Sequence, residues 1–407
     1  MRACVFTLGC KMNEVESASL MRGLEELGFE VTDELCAADL YLLNTCAVTA
    51  EAEKKSRQAI TRMRKFNPQA KIIVLGCAAE RDAEAFFKRE NVTLVVGAQN
   101  KSKVLKTLQE SGILCEKDTA FCELPAPKRT KTRAFVRIQD GCNRFCSYCV
   151  IPYLRGRSRS RSAELIFKEA KESGAKEIVL TGIDISSYHD GKHDLSALLE
   201  MLSVLPARIR LGSLEAGIID EAFLKSMKEA KNAVPHFHLS LQSGSSKVLK
   251  NMNRHYTREE YLACCQKIYE IFPNAAITTD IIVGYPTETE NDFLESLSIV
   301  EEAGFARIHC FPYSPRPGTV SAKLQDLSSD VKKERMARMT AAARIAQEKY
   351  IQTFFGKELL VLFEDDGGYS ENYIRVYAEG AKEGDFCRVR LTGFEKDGAK
   401  AEILEVL

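Results

Sequence analysis

The chain has 407 residues, 45% of them hydrophobic, which exceeds one ordinary domain and supplies enough apolar side chains for several cores. Lysine plus arginine and aspartate plus glutamate each number 57, so the zero net charge points to no particular partner. No apolar run approaches membrane-spanning length, and 14 cysteines without a signal-like N-terminus lead us to expect a reducing, cytoplasmic location and no membrane partner.

The first part of the chain alternates short apolar runs with amphipathic helical patterns. Such βα repetition predicts an α/β domain with a parallel sheet, and we place this domain at residues 1–115. The predicted strands are 3–8, 39–44, 71–75 and 93–96, and the predicted helices are 13–27, 50–66 and 81–90.

Three cysteines follow the first three of these strands, each at the turn that leaves its carboxyl end. They are Cys10, Cys46 and Cys77, about thirty residues apart. Because the carboxyl ends of parallel strands meet at one edge, the three thiolates can converge on one iron–sulfur cluster. Chance placement of three cysteines at equivalent turns is the alternative.

A Pro-rich linker follows residue 115, and a second βα series then begins near residue 134. Strands at 134–139, 177–181, 209–213, 236–241, 277–283 and 307–312 predict an open, partial (β/α)6 barrel within residues 128–345. In barrels of this kind, catalytic groups gather at the carboxyl ends of the strands.

The most informative motif is Cys142, Cys146 and Cys149, with C-x3-C-x2-C spacing at the end of the first barrel strand. Three thiolates can hold three irons of a four-iron cluster and leave the fourth open to a small molecule. A structural zinc site needs four protein ligands, and the nearest other candidates, Cys122 and His189, lack a close partner. Zinc or unrelated thiols remain the alternatives. The spacing resembles that of the radical S-adenosylmethionine (SAM) enzymes.

Polar residues at the strand ends are the candidates for holding SAM, and Gly182 would let the backbone approach a ligand closely. Helix capping is the alternative role for these side chains, and an ordinary core role is the alternative for Tyr148. The predicted SAM contacts are Tyr148, Thr181, Gly182, Asp184, Ser213, Glu215, Ser240 and Gln242.

A basic run from Lys128 to Arg161 contains ten cations and one acid, and it encloses the cysteine triplet. Arg155, Arg157, Arg159 and Arg161 alternate with small residues, so an extended segment would place all four on one side. Such a row suits the successive phosphates of an RNA whose base enters the barrel mouth. A solvated surface is the alternative.

After a charged helical stretch at 328–354, short strands alternate with Gly and Asp turns. Residues 346–407 therefore predict a small all-β barrel. Tyr373 and Arg375 offer a stacking surface and a cation for RNA. A purely structural cap is the alternative.

Taken together, the motifs resemble those of the radical-SAM methylthiotransferases over essentially the full length. The matching segments are TLGCKMN at 7–13, NTCAVT at 44–49, GC at 76–77, GRSRSR at 156–161, HLSLQSG at 238–244, DIIVGYP at 280–286 and YSPRPGT at 313–319, beside the triplet. The resemblance implies an N-terminal domain with an auxiliary 4Fe–4S cluster, a radical-SAM core with a second 4Fe–4S cluster, and a C-terminal TRAM domain that binds RNA.

The family has several branches, and Lys11, TCAVT at 45–49 and KKSRQ at 54–58 look most like the branch acting on N6-threonylcarbamoyladenosine in tRNA. The resemblance implies transfer of a methylthio group to carbon 2 of that adenine, beside the anticodon. One SAM would supply the methyl group and a second would generate a 5′-deoxyadenosyl radical. The expected partners are the tRNA anticodon stem-loop, a reductant such as flavodoxin or ferredoxin, and a sulfur source.

Two alternatives remain open at this stage. The same chemistry could act on N6-isopentenyladenosine in tRNA or on a ribosomal-protein side chain. From a different class, the chain could be a non-catalytic iron–sulfur protein that binds RNA or carries electrons.

Overall fold

The computed structural model describes residues 1–47, 50–128 and 132–407. It forms two compact units. The first contains Met1–Lys128, Arg137–Ser162 and Ser314–Ala322, and the second contains Ala163–Tyr313, Lys323–Leu407 and the described residues of 129–136. The domain limits expected from the sequence, 1–115, 128–345 and 346–407, stay predictions. Within the described residues, no helix is both long and apolar enough to cross a membrane.

The N-terminal part forms a parallel sheet with strand order β2-β1-β3-β4-β5-β6, counted over residues 1–47 and 50–128. The four predicted strands are present, while β2 and β6 have three residues each and carry too little pattern to predict. The elements are β1 (Arg2–Thr7), α1 (Lys11–Glu26), β2 (Glu30–Thr32), β3 (Leu40–Thr45), α2 (Ala50–Phe66), β4 (Lys71–Gly76), α3 (Cys77–Arg81), α4 (Ala83–Phe87), β5 (Val92–Gly97) and β6 (Gly112–Leu114).

Burial on both faces explains why these strands are continuous apolar runs. All six residues of β3 are buried. Alternate residues point to opposite faces, so Tyr41 and Leu43 join one core cluster while Leu40 and Leu42 join another. The predicted helix at 81–90 is instead the pair α3 and α4, which meet at Asp82.

The next segment carries the cysteine triplet between two very short strands. Its elements are β7 (Arg133–Arg137), β8 (Gln139–Asp140), α5 (Ile151–Leu154) and β9 (Arg159–Ser160). β8 pairs antiparallel with β9, so the intervening loop is closed at its base. This short hairpin was not predicted, because two residues carry no measurable periodicity.

The core of the second unit consists of two parallel sheets, with strand orders β11-β10-β7 and β12-β13-β14-β15 in the described residues. β11 and β12 are the halves of one predicted strand, interrupted at Gly212. The elements are α6 (Ala163–Glu172), β10 (Glu177–Thr181), α7 (Leu195–Leu202), β11 (Arg208–Leu211), β12 (Ser213–Leu214), α8 (Glu221–Glu229), β13 (His236–Leu239), α9 (Ser246–Asn251), α10 (Arg258–Ile271), β14 (Ala276–Val283), α11 (Glu290–Glu302) and β15 (Arg307–Pro312). The predicted α/β architecture is confirmed.

The C-terminal part is the predicted helix followed by a closed barrel with strand order β16-β17-β18-β20-β19. Its core includes Val361, Val376 and Val389. The barrel agrees with a TRAM domain, and Tyr373, which has a φ of +62°, lies just before its third strand. The elements are α12 (Ser329–Gln352), β16 (Glu358–Glu364), β17 (Gly367–Ser370), β18 (Arg375–Tyr377), β19 (Phe386–Glu395) and β20 (Gly398–Val406).

Candidate active site

Three cysteines lie where neighbouring parallel strands of the first unit end. Cys10 is the N-cap of α1 after β1, Cys46 follows β3 directly, and Cys77 begins α3 after β4. Because β1, β3 and β4 are adjacent and parallel, their carboxyl ends share one edge. A Cβ at Gly9, whose φ is +117°, would lie 2.8 Å from Cys46 Sγ, so the loop before Cys10 passes against Cys46. The sheet thus brings the three thiols to one edge, and their role as ligands stays a prediction.

Buried hydrogen bonds connect the loops that carry these cysteines. Asn13 Nδ2 donates to the carbonyl oxygens of Leu8 and Thr45, at 2.8 and 2.9 Å. The Thr45 hydroxyl donates to the carbonyl oxygen of Leu75 at 2.7 Å and accepts from the Ala79 amide at 3.1 Å. Because buried polar groups are costly to leave unpaired, these bonds hold the three turns in a defined arrangement.

α1 also carries a buried carboxylate, Glu16, which is surrounded by cations. Glu16 pairs with Lys101, with Arg155 (Nη1 to Oε1, 2.9 Å) and with Arg137 (Nη1 to Oε1, 3.4 Å). Burial by itself would raise the pKa of Glu16, but Arg155 and Lys101 outweigh that effect and hold its pKa well below the usual range. Sequence reasoning missed Glu16, because Lys101 lies 85 residues away and Arg155 lies 139 residues away.

The loop with the second cysteine set is anchored at its base by backbone contacts. Gly141 has a φ of +72°, and a Cβ there would lie 2.1 Å from the carbonyl oxygen of Arg157, so a side chain does not fit. The Cys142 amide donates to the carbonyl oxygen of Gly156 at 3.1 Å. Gln139 Nε2 donates to the carbonyl oxygen of Gly141 at 2.8 Å. The chain therefore enters and leaves the cysteine loop at fixed positions.

Cys142, Cys146 and Cys149 are each half-buried, as expected for thiols that face a bound group rather than a core. The Cys149 amide donates to the carbonyl oxygen of Cys146 at 3.0 Å, which folds the loop into a tight turn. The Ser321 amide donates to the carbonyl oxygen of Ser147 at 2.9 Å, so a distant segment of the same unit supports this turn.

The donor chemistry of both sets fits iron–sulfur clusters. All six cysteines are free thiols. Within residues 1–47, 50–128 and 132–407, no three Cys, His, Asp or Glu side chains already have the mutual arrangement of a metal site. Three thiolates are nevertheless the ligand set that leaves one iron of a four-iron cluster open. The structure thus shows the positions of the thiols, and their ligation of clusters stays a prediction.

The prediction that Arg155, Arg157, Arg159 and Arg161 form one row of guanidinium groups is wrong. The segment is not extended throughout, because Arg155 is the C-cap of α5 with a helical backbone conformation, and only Arg159 and Ser160 form β9. The alternation in the sequence therefore does not place the four side chains on one side.

The three buried arginines of this segment, Arg155, Arg159 and Arg161, each pair with an acidic side chain. Arg155 Nη1 and Arg159 Nη2 donate to the two carboxylate oxygens of Asp140, at 2.9 and 3.2 Å. Arg161 Nε donates to Glu123 at 2.9 Å. These three guanidinium groups serve buried or half-buried ion pairs, so they do not form a phosphate-binding strip.

Arg157 differs from its neighbours because it is exposed, and its guanidinium lies 4.4 Å from the centre of the Phe145 ring. It is the member of the row that keeps the predicted role of contacting RNA. Arg129 and Lys131, which belong to the same basic run, lie outside the described residues.

Seven of the eight predicted SAM contacts lie in the second unit, in or just after neighbouring strands. Thr181 ends β10 with Gly182 and Asp184 following, Ser213 lies in β12 with Glu215 following, and Ser240 and Gln242 follow β13. The backbone N–H of Gln242 donates to the carbonyl oxygen of Asp280 at 2.8 Å, and Glu215 pairs with Arg254. Tyr148 lies in the first unit, between Cys146 and Cys149, and is half-buried. The SAM contacts stay predictions.

The prediction that Tyr373 offers an open stacking surface is wrong. Its ring stacks against His236 (centroids 4.1 Å apart, planes at 7°) and against Tyr369 (4.9 Å, 20°). The Arg210 guanidinium lies 5.2 Å from the same ring. Burial raises the pKa of Tyr373, in keeping with an interior position.

Arg375 is likewise engaged within the protein. It pairs with Asp366 at 2.6 Å and donates to the hydroxyls of Tyr369 and Tyr377, at 3.2 and 3.1 Å. Tyr373 and Arg375 therefore pack the barrel, and an RNA contact by either residue is not supported.

Comparison with known proteins agrees with these observations. The model of the radical SAM superfamily matches residues 136–300, and that of uncharacterized protein family UPF0004 matches residues 2–97. The threonylcarbamoyladenosine tRNA methylthiotransferase MtaB of Aquifex aeolicus is 38% identical, over 94% of this chain and 98% of the relative. The tRNA-2-methylthio-N(6)-dimethylallyladenosine synthase of Staphylococcus haemolyticus is 35% identical, over 92% of this chain and 78% of the relative.

Among solved structures, the radical S-adenosylmethionine methyltransferase TsrM from Kitasatospora setae aligns with a TM-score of 0.56, covering 79% of this chain and 77% of that one at 13% identity. At that identity the likeness concerns the fold alone. The fold and the cysteine triplet define a radical SAM enzyme, a class that uses a 4Fe–4S cluster and SAM. More specifically, the chain belongs to the radical SAM methylthiotransferase family.

Proposed function

We propose that this chain transfers a methylthio group to carbon 2 of the adenine in N6-threonylcarbamoyladenosine, next to the anticodon of tRNA. The observation that carries the proposal is the presence of two three-cysteine sets in one compact unit, Cys10, Cys46 and Cys77 beside Cys142, Cys146 and Cys149. A single set would serve radical formation, whereas a second set provides a place for the transferred sulfur.

The six cysteines divide between radical formation and sulfur transfer. Cys142, Cys146 and Cys149 would hold the cluster whose open iron binds SAM, and Cys10, Cys46 and Cys77 would hold the second. When bound, these groups supply the electron that cleaves SAM and the sulfur that is transferred. The chain itself positions the thiols through the hydrogen-bonded turns, and polar side chains at the barrel strand ends would orient SAM.

Support for the threonylcarbamoyladenosine branch comes from the segments that follow the cluster cysteines. Lys11, KKSRQ at 54–58 and TCAVT at 45–49 resemble that branch, although Val48 and Thr49 lie outside the described residues. The relative from Aquifex aeolicus that is named for this substrate aligns over 98% of its own length.

The second candidate is the same transfer to N6-isopentenyladenosine in tRNA. It is favoured by the 35% identity to the dimethylallyladenosine synthase, which is only slightly lower than that to the first relative. Both candidate functions use the chemistry proposed above, so only the modified nucleoside separates the two candidates.

Nucleoside mass spectrometry of tRNA from a strain lacking the gene tests the substrate. We expect loss of 2-methylthio-N6-threonylcarbamoyladenosine, restored by the wild-type chain and not by a Cys142→Ala variant. A variant at Cys36, a half-buried thiol outside both sets, should restore the mark and serves as the matched control. Loss of the methylthio mark from isopentenyladenosine instead would favour the second candidate, and an unchanged profile would reject both.

Anaerobic reconstitution tests the number of clusters. We expect about eight irons per chain, and about four after Cys142, Cys146 and Cys149 are all changed to Ala. About four irons in the intact protein would remove the sulfur-transfer role of the first set.

We further propose a flavodoxin or ferredoxin as reductant and an external source that replaces the transferred sulfur. A SAM cleavage assay with dithionite separates the enzyme from a non-catalytic iron–sulfur protein. Formation of 5′-deoxyadenosine is expected, and its absence would favour the non-catalytic alternative.

A further inference from the structure

Arg155 follows the second cysteine set in the chain and reaches the helix that follows Cys10. It is fully buried, and its Nη2 donates to Asn13 Oδ1 and Glu16 Oε2, both at 3.1 Å. Its Nη1 donates at 2.9 Å to Glu16 Oε1 and to Asp140 Oδ1. One guanidinium therefore links the base of the triplet loop, through Asp140, to the first turns of α1.

The helix that Arg155 caps also packs against the edge that carries the other cysteines. α5, whose C-cap is Arg155, packs against α3, which begins at Cys77. Leu154 belongs to the same core cluster as Cys77 and Ala78.

One N–H donor of the Arg155 guanidinium makes no hydrogen bond to the described residues. Arg155 Nε is buried and has no hydrogen-bond partner among the described residues. A buried donor without a partner costs free energy, so an acceptor that arrives with a bound group would be favoured there. The ion pairs with Glu16 and Asp140 prevent the guanidinium from turning away, so this donor is held in place.

We propose that Arg155 is a positioning residue for the centre held by Cys10, Cys46 and Cys77, and that its Nε–H donates a hydrogen bond to a sulfur of that centre once the centre is bound. The inference rests on the proposed second cluster. It assigns to Arg155 a structural link between the two cysteine sets and an electrostatic effect on one of them. Hydrogen bonds to cluster sulfurs raise the reduction potential, so removal of this donor should make the second centre harder to reduce.

The test uses the full chain with Cys142, Cys146 and Cys149 changed to Ala, so that only the second centre can bind iron. Arg155→Lys keeps the positive charge and removes the planar donor. Arg155→Gln keeps an amide donor and removes the charge. For each variant we would measure iron content, the reduction potential and the electron paramagnetic resonance spectrum of the reduced centre. Arg155→Lys is expected to retain iron and to shift the potential to a more negative value with an altered spectrum.

Arg335→Met is the matched control. Arg335 is also buried in an ion pair, with Glu288, and its Nε likewise has no partner among the described residues, but it lies over Phe293 rather than beside a cysteine. The Arg335→Met variant should lose about as much stability as the Arg155 variants. It should leave the spectrum and the reduction potential of the second centre unchanged.

The outcomes separate the inference from the function on which it rests. If the triple-Ala parent binds no iron, the proposed second cluster is wrong and the inference falls with it. If the parent binds iron and Arg155→Lys leaves both spectrum and potential unchanged, only the inference is overturned. If both Arg155 variants unfold by circular dichroism while Arg335→Met stays folded, Arg155 is an ion-pair partner alone, and the inference is also overturned.

Discussion

Each unit contains a buried glutamate surrounded by cations, and the two carboxylates stabilise different parts of the fold. Glu16 pairs with Arg155 beside the edge that carries three cysteines. Glu177 pairs with Arg208 and Arg210, at 2.7 and 2.9 Å, at the amino ends of the barrel strands. Their chemistry is the same, but the surroundings decide what each ion pair holds together.

The arginines around Glu177 attach the small C-terminal barrel. Arg208 Nη1 donates to the carbonyl oxygen of Leu360 at 3.2 Å, and Arg210 Nη2 donates to that of Ser370 at 3.0 Å. Because Glu177 and Arg208 are the first residues of β10 and β11, the small barrel contacts the amino ends of these strands. The SAM candidates Thr181, Gly182 and Asp184 stand at the opposite, carboxyl end of β10.

The largest expected effect comes from removing either buried carboxylate, and the iron content of the two variants distinguishes their roles. Glu16→Ala and Glu177→Ala should each cost about 3–5 kcal/mol of unfolding free energy. The first leaves the buried Lys101 without its anion, and the second leaves Arg208 and Arg210 without theirs. Urea unfolding measures that cost. After reconstitution, Glu16→Ala should lose iron, and Glu177→Ala should retain it. Equal iron loss in both variants would show that the two regions do not differ as described.

Removal of one arginine should weaken attachment of the C-terminal barrel. Arg210→Met removes bonds to Glu177 and to barrel carbonyls, at a cost of about 1.5–3 kcal/mol. Limited proteolysis should then cleave faster near Gly356, between α12 and β16. Arg390→Met, which removes an exposed pair with Glu358, is the control and should leave the cleavage rate unchanged. If the control accelerates cleavage as much as Arg210→Met, the attachment model is contradicted.

The second unit should also lose stability in mild acid. Burial, and then Arg210 and His238, hold the pKa of His236 well below its usual value of about 6.5. Below about pH 6.5 the unfolded chain binds a proton that folded His236 does not, so stability falls by up to about 1.4 kcal/mol per pH unit. Above that pH the group has no effect. The His236 ring stacks against Tyr373, and its Nε2 is hydrogen-bonded to the Thr278 hydroxyl.

Urea midpoints measured at about pH 7.5 and pH 5.5 check this dependence. His236→Asn should flatten it, whereas a variant of the exposed His255 to Gln should not. An unchanged slope in His236→Asn would assign the acid sensitivity to other groups.

The smallest expected effect concerns an exposed pair. Arg344 and Glu348 lie one turn apart on α12, with side chains 72% and 45% exposed. Arg344→Ala should change the unfolding free energy by about 0.3–0.5 kcal/mol, because solvent screens the pair. A loss comparable with that in Glu16→Ala would mean that burial is not what distinguishes the two kinds of pair.

Much of the fold could be predicted, because strands buried on both faces leave continuous apolar runs in the sequence. The positions of Cys10, Cys46 and Cys77 at one edge also follow from the βα order. The arginine alternation misled the prediction, because Arg155 has the helical conformation of the α5 C-cap and because Asp140 and Glu123 pair with the buried side chains. Likewise, no local pattern indicates that His236 and Tyr369 would cover Tyr373.

The sequence by itself determined the two cysteine sets, the order of the longer strands and helices and the small C-terminal barrel, because these depend on spacing between near neighbours in the chain. Only the tertiary structure decided which charges are buried and which acids pair with them. The pairing of Arg155 with Glu16 spans 139 residues, and its strength comes from burial. Burial arises only when distant segments pack, so it cannot be read from either segment alone.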